Sequence, residues 1–354
     1  MHVERWTSAD IFAELAEEWS ALLGRAAVDT LFLTPQWQEV WWRHFGADLQ
    51  PALLLARDEE GTLQGIAPLY AQEEAGRRVL RFIGGVEVSD YLDLIVARGR
   101  EDEVYRAFLE CLLDDPSWDL LDLHCLPAAS PTSEALYRGC AECFPEDFTR
   151  EPEEAAPYIP LPESWEAYLA SLDKKQRHEI RRKVRRAFSE AEVRWSRLQD
   201  SAGLEEAVET FIRLHRASHP EKEAFMTPRM AAFFRDMARV TREAGWLNLY
   251  TLWLDGRPAA SMWCFDYGGD LLLYNSGFDP AWRPELASGI VLLACCLQEA
   301  IARRKRRFDF LRGGESYKYR FGAVDSAVYH LVVRNPRRKR QERLPLAAWR
   351  GSAR

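Results

Sequence analysis

One order of elements occurs twice in this chain, and that repetition limits the fold more than any single motif. Residues 53–70, LLLARDEEGTLQGIAPLY, and residues 249–267, LYTLWLDGRPAASMWCFDY, both read as an apolar strand, a polar turn with glycine and a second apolar strand. Each hairpin is followed by a further apolar run, a helical segment and a short strand: WDLLDL at 118–123 in the first half, FDFL at 308–311 in the second. A duplicated hairpin–strand–helix–strand unit implies an α/β (α+β) chain of two similar domains, each a twisted mixed sheet flanked by helices. The length of 354 residues is ordinary for two domains. The acidic, proline-bearing EPEEAAP at 151–157 is the expected linker. The boundaries so drawn are 1–150, 158–335 and a basic tail at 336–354.

Local signals fill in the units. Residues 11–23 place Ile11, Leu15, Trp19 and Leu22 on one helical face. Thr34-Pro35 opens a second helix, because threonine caps and proline suits the first helical position; Trp37, Trp41, Trp42 and Phe45 follow as a core stripe. Strands are expected at 78–85, 91–97, 118–124, 158–161, 247–254, 259–266, 271–278 and 328–334. Further helices are expected at 103–113, 131–143, 173–188, 204–218, 228–244 and 288–303.

Composition removes several classes of function. With 29% charged residues and no apolar run near the ~20 residues a bilayer helix needs, no membrane span is expected. The opening MHVERWTSADIF lacks a signal-peptide core, so the expected compartment is the cytoplasm. Seven scattered cysteines form no disulfide framework, and Cys140-x-x-Cys143 lacks a second ligand pair, so they read as packing residues. His215 and His219 share a helix face without a third ligand at usable spacing; no metal is expected. The net charge of −8 argues against bulk nucleic-acid binding. Positive charge is local: Lys174, Arg181, Arg182 and Arg185 stud one helix, which fits an acidic acceptor, RNA, anionic lipid or a plain solvated face. The tail PRRKRQERLPLAAWRGSAR would allow weak contact with a membrane surface.

Two segments could carry chemistry. Ser288 and Gly289 open a helix, where unpaired amides and the dipole favour an anion and small side chains let a phosphate approach. At the matching place in the first half stand Glu101, Asp102 and Glu103, which would repel one. The second segment, FDFLRGGESYKYRFG at 308–322, delivers Asp309, Arg312, Glu315, Tyr317 and Lys318 around a glycine turn. It reads either as a site rim or as a turn with solvated charges.

The stretches YNSGFDP, ASGIVLL and DFLRGGESYK, with LFLTPQWQEVWWRHFG and SWEAYLASLDKKQRHEIRRKVRR, resemble the BioF2-like or CelD-like acetyltransferase family of the GNAT superfamily. That family is similar in architecture to Fem-type aminoacyl-tRNA transferases, which have two GNAT-like domains. The resemblance implies a first, degenerate GNAT-like domain and a second that is catalytic. It implies acyl-CoA, acetyl-CoA first, as cosubstrate without metal, and transfer to nitrogen or oxygen of a sugar, a cell-envelope precursor or a small metabolite. Ser288 and Gly289 match the turn that receives the CoA pyrophosphate; Ile290, Arg283 and Ser276 are counted with that donor site. Lys318 matches the recurrent Tyr-Lys lysine and Asp309 the strand aspartate. The chain departs from the pattern with Ala-Ser-Gly in place of Ser-Pro-Gly and with Gly314 where an acidic residue is commoner.

Acyl transfer needs a proton acceptor for the nucleophile and donors for the oxyanion. Amides of 272–276 are candidate donors, Tyr274 or Tyr317 the acid for the leaving thiolate, and Asp309 or Glu315 the base. Lys318 is expected to bind an anionic part of the acceptor or stabilise developing charge. Two other readings stand beside this one: a Fem-like transferase drawing on aminoacyl-tRNA, and a catalytically silent binding or assembly protein of a polysaccharide pathway.

Overall fold

The computed structural model describes residues 1–141 and 145–338, and it divides the chain into two compact units. The first unit runs from Met1 to Ala155 and takes in the chain again from Ala327; the second is Ala156–Ser326.

In the first unit, His2–Trp6, Leu53–Arg57, Leu63–Ala67 and Ile95–Val96 form one sheet. A second sheet has the order Gln50–Pro51, Leu69–Glu74, Arg77–Phe82, Leu120–Pro127, Ala327–Arg334, Phe148–Ala155. The expected 63–70 strand is thus divided at Pro68, which lacks the N–H a continuous ladder needs. The 11–23 helix is likewise two helices, Ile11–Glu14 and Ala16–Leu23, with Leu15 off helical geometry between them. Of 91–97 only Ile95–Val96 is strand. Thr34 caps the helix Pro35–Phe45 by accepting from the Trp37 N–H at 3.2 Å, and Trp37 and Trp41 are buried as expected.

Two boundaries differ from the sequence reading. The expected linker is mostly strand: Phe148–Ala155 pairs antiparallel with Ala327–Arg334. Pro152 is tolerated because this is the outermost strand of its sheet, where a missing N–H breaks no second ladder. And 327–334, expected in the second unit, lies in the first, between Leu120–Pro127 and Phe148–Ala155. Cys140 is buried in the helix Pro131–Ala141; Cys143 and tail residues 339–354 lie outside the described residues.

The second unit is one sheet in the order Tyr158–Pro160, Arg307–Asp309, Asp270–Phe278, Arg257–Tyr267, Leu247–Leu254, Val193–Arg197. Alternation along its strands gives it two buried faces. One packs Leu252, Met262, Cys264 and Leu273 against the helix Ser288–Ala302 and the basic helix Lys174–Glu190, through Ile180 and Ala187. On the other, Trp263 meets Phe211 and Phe234 edge-on at 5.1 and 5.2 Å, from the helices Leu204–Ser218 and Pro228–Glu243. The stretch Pro284–Ala302 is long and apolar enough to cross a bilayer by composition, yet 61% of its most apolar 18 residues is buried inside the protein. It is the core helix of this sheet, with Cys295 and Cys296 packed inside it.

Candidate active site

The site is built where two strands part. Asp270–Phe278 and Arg307–Asp309 run parallel, with only Leu271 opposite Phe308 and Leu272 opposite Asp309 in register. Beyond those two pairs Asp270–Phe278 keeps only its other neighbour, Arg257–Tyr267. The Asp279 N–H donates to the Ala259 carbonyl at 2.9 Å, which sets the alternation of that ladder. In an antiparallel pair every second residue turns its main-chain groups away from the partner. Here those residues are Ser276 and Phe278, so their N–H and C=O groups point into the open side, where the Ser276 N–H is taken up by Asn275 Oδ1 at 2.9 Å.

The helix Ser288–Ala302 begins beside this open edge. Ala287 precedes it in the left-handed region (φ 51°, ψ 52°) and offers no side-chain cap. The Ile290 and Val291 amides bond back to the Ala287 carbonyl; those of Ser288 and Gly289 have no acceptor among the described residues. The Ser288 hydroxyl is tied to the Ala259 carbonyl at 3.2 Å. A Cβ on Gly289 would meet only the Phe278 ring, at 3.8 Å, so the helix end is open. These groups border a pocket of about 380 Å³ whose apolar wall is Met262, Phe278, Pro284, Ile290, Leu293 and Tyr317. An unpaired helix N-terminus at the rim of an apolar pocket suits a ligand with an anionic head and an uncharged arm.

The expected site residues divide sharply. Ser276, Ser288, Gly289, Ile290 and Tyr317 all line the pocket. Burial pushes the Tyr317 phenol above its ordinary pKa, with the Glu315 carboxylate adding to the shift, so it stays a proton donor. Tyr274 is elsewhere: it sits at a bulge in the ladder, its ring against Phe265 and Phe234 at 5.4 and 5.8 Å. Arg283 turns its guanidinium to Asp255 and Glu285, each at 2.8 Å, and to the Glu190 carbonyl at 2.9 Å, which fastens the turn before the helix.

Asp309 and Lys318 are buried and serve the chain itself. Asp309, 1% exposed, accepts from the Leu311 N–H at 2.8 Å and so supports Leu311 in a left-handed conformation (φ 57°). Lys318, 2% exposed, donates to the carbonyls of Phe310, Arg312 and Gly313 at 3.2, 2.9 and 2.8 Å and pairs with Glu315 at 2.8 Å. An ammonium has three protons, and these are all engaged. Lys318 therefore clamps the glycine turn, and the expectation that it meets the acceptor is replaced by a positioning role. Glu315 keeps a half-exposed carboxylate.

Two polar groups at the open edge were not placed in the site by the sequence: Lys222, which drew no notice, and His215, weighed there only as half of a metal pair. Lys222, in the helix Pro220–Phe225, donates to the Ser276 carbonyl. Its pKa is lowered by burial, against the pull of Glu315. His215 is buried and bonded to Asn275; burial first, and then the Lys222 charge, push its pKa down to about 4, so it is neutral at pH 7. His215 and His219 do not converge: His219 lies exposed at the start of the helix Pro220–Phe225. The segment HRASHPEK carries both new residues, but a one-turn spacing says nothing of which face meets the strand. Gly277 provides that contact, because a Cβ there would stand 2.3 Å from the His215 nitrogen.

On the basic helix, Arg182 is held in a fork by Glu179 at 2.9 and 3.0 Å. Lys174, Arg181 and Arg185 have no ion-pair partner among the described residues and share an exposed face.

Residues 174–319 match the acetyltransferase (GNAT) domain family. The chain thus carries a GNAT-type acyltransferase domain, and it contains the pocket. A search of curated proteins finds no match. Among solved structures the chain is similar to FemX, with a TM-score of 0.65, 12% identity and coverage of 95% of this chain and 98% of that one. It is also similar to L-PGS from Bacillus licheniformis (0.56, 12%, 94% of each chain). A third likeness is to the C-terminal domain of a putative lysylphosphatidylglycerol synthetase from Agrobacterium fabrum (0.54, 10%, 92% of each). At such identities the likeness is one of fold: twisted mixed sheets with flanking helices.

Proposed function

We propose that this protein transfers an acyl group from an acyl-CoA, acetyl-CoA first, to an amine or hydroxyl of a sugar, a cell-envelope precursor or a small metabolite. The observation that carries the reading is the pair of unpaired amides at Ser288 and Gly289 beside the apolar pocket. They would receive the pyrophosphate, while the pantetheine arm lies along Phe278, Ile290 and Met262 toward the parting of the strands. The main-chain groups of Phe278 would meet the arm and the thioester carbonyl there. Tyr317 would protonate the departing thiolate, and Glu315 would take the acceptor's proton. Titration with acetyl-CoA by calorimetry tests this. Gly289→Glu fits the available space and suits a helix start, yet it sets a carboxylate against the phosphates. It should weaken binding at least about tenfold at one unit of like charge, while Gly289→Ala binds nearly as wild type. Equal affinity in all three proteins would overturn the assignment.

The basic face of Lys174, Arg181 and Arg185 favours a second reading, an aminoacyl-tRNA donor of the Fem type. Under it, tRNA binds with an affinity that falls steeply with salt. If neither donor binds, the catalytically silent reading is the one left. In the main reading the protein works in the cytoplasm, with the basic face available to a membrane surface or an acidic acceptor.

A further inference from the structure

The first unit repeats the parting of strands and fills it differently. Arg77–Phe82 and Leu120–Pro127 run parallel with only Val79 opposite Leu120 and Leu80 opposite Leu121. Past them, Arg81 and Asp122 bridge the opening, Nε to Oδ2 at 2.8 Å. Next to that bridge His124, on the same strand as Asp122, lies face to face with His330 from Ala327–Arg334. The ring centroids are 3.8 Å apart and the planes within 9°. Both Nε2 atoms point at one oxygen, Asp122 Oδ1, at 3.3 Å from His124 and 2.6 Å from His330. Asp122 is fully buried.

We propose that Asp122, His124 and His330 form a binding site for one divalent transition-metal ion, with Zn²⁺ the best-matched probe. Four observations support it. The three donor atoms lie within 4.8 Å of one another. A tetrahedral ion with bonds of about 2.0–2.2 Å needs its ligand atoms roughly 3.3 Å apart. The His124–Asp122 pair has that spacing already; His330 need withdraw by well under 1 Å, and one ring must turn out of the stack so that both Nε2 lone pairs meet one ion.

The surroundings have the form that fixes metal-binding imidazoles, in which the far ring nitrogen bonds to a carboxylate. His124 Nδ1 bonds Glu153 Oε1 at 2.8 Å, and Glu153 Oε2 is held by the Cys125 N–H at 2.8 Å. Cys125 adopts φ 63° to present that N–H, a conformation that costs a non-glycine residue about 1 kcal/mol or more. Arg81 occupies the other oxygen of Asp122 and is itself held by Glu74 at 2.7 Å, leaving Oδ1 for the ion.

Charge agrees with the geometry. With neutral imidazoles, Asp122, Glu153 and Glu74 outweigh Arg81 by two negative charges, which a divalent ion balances. Two charged imidazolium rings stacked at this distance would repel each other, and the ion takes the place of the Nε2 proton that otherwise lets His124 meet both carboxylates.

Last, the site has an open side. Asp122 and His124 line a cavity of about 240 Å³ with Tyr70, Arg81, Glu87 and Leu92, so a water or a small oxygen ligand can complete the coordination. Three protein ligands and one open position are the pattern of metal sites that bind or activate a ligand. Two imidazoles and a carboxylate suit zinc and its neighbours rather than calcium or magnesium.

The test uses untagged full-length chain, stripped with a chelator. Zn²⁺ titration by calorimetry should give one site per chain, and Co²⁺ should give visible absorption bands from a nitrogen–oxygen environment. His330→Gln and Asp122→Asn should abolish both, while Glu153→Gln should weaken binding by roughly 10–100-fold. Should a variant fail to fold, the wild type decides alone: Zn²⁺ should raise its Tm, and chelator should reverse the rise. No stoichiometric binding, no Tm rise, or binding unchanged in His124→Gln and His330→Gln, which would place an adventitious ion elsewhere, overturns the proposal.

Discussion

Lys318→Met separates a clamp from a catalyst. Methionine keeps most of the buried stem but removes the ammonium that holds three carbonyls and Glu315. Phe310 is buried, so its carbonyl is stranded, at a cost of about 1–3 kcal/mol. Arg312 and Gly313 are half-buried and Glu315 half-exposed, so those groups regain water and lose less. Relief of the buried ammonium offsets part of the loss. The balance is about 3 kcal/mol, which for a unit of this size lowers Tm by roughly 6–12 °C. Thermal unfolding followed by circular dichroism measures it, with turnover assayed on the same samples well below Tm. The reasoning is refuted if Tm stays within about 2 °C of wild type while turnover disappears. That result would return Lys318 to direct contact with the acceptor.

Other expectations are as specific. Gly277→Ala sets a Cβ 2.3 Å from the His215 nitrogen and 2.5 Å from the Leu214 carbonyl carbon, both main chain, and should cost at least about 1–3 kcal/mol in a denaturant titration; unchanged stability would mean that helix and strand can separate freely. His215, with its folded pKa near 4 against 6.5 unfolded, binds fewer protons when folded. Its stabilisation is complete above pH 6.5 and is lost as pH falls toward 4, by up to ~3 kcal/mol. His215→Gln should flatten the stability difference across that window, and parallel pH curves would refute it. Tyr317→Phe keeps the ring against Phe310 and removes the proton donor, so kcat should fall by about 10²-fold with Tm unchanged; an unaltered kcat removes Tyr317 from the chemistry.

Local signals carried the fold a long way. Thr34, Ser164, Asp173 and Thr227 each cap the helix that follows them. The small pair Ser288–Gly289 marked the pocket turn because its physics is local: an amide lacks a partner at any helix start. What could not be read depends on pairing between distant segments. Nothing in VYHLVVR says which sheet it joins, and Pro152 looks like a linker residue until its strand is seen at an edge. Lys318 shows a different limit. The Tyr-Lys motif drew notice to this turn, but a lysine that binds substrate and one that binds its own backbone have the same sequence. Of the proposed metal ligands only Asp122 and His124 are close in sequence; His330 comes from a distant strand, so the spacing alone names no site.

The two partings of parallel strands pose one physical problem. A strand that loses its neighbour inside a protein exposes N–H and C=O groups, and burying them unpaired costs free energy. The first unit closes its opening with its own side chains: Arg81 reaches Asp122 across it, and the imidazoles pack behind. The neighbouring helix Glu101–Leu113 begins with three acidic residues, one of them paired to Arg100, so it too is provided for. The second unit does neither. Its helix starts without a cap, Gly289 adds no side chain, and the gap beside Ser276 and Phe278 is walled by apolar groups. Such an edge is tolerable where a ligand supplies the missing partners, and a ligand that does so must carry both acceptors for amides and a long uncharged arm. The same fold therefore holds one opening bridged by its own side chains and one bordered by the unpaired Ser288 and Gly289 amides. On the proposed reading acyl transfer belongs to the second, where the Phe278 N–H is left to face an oxyanion.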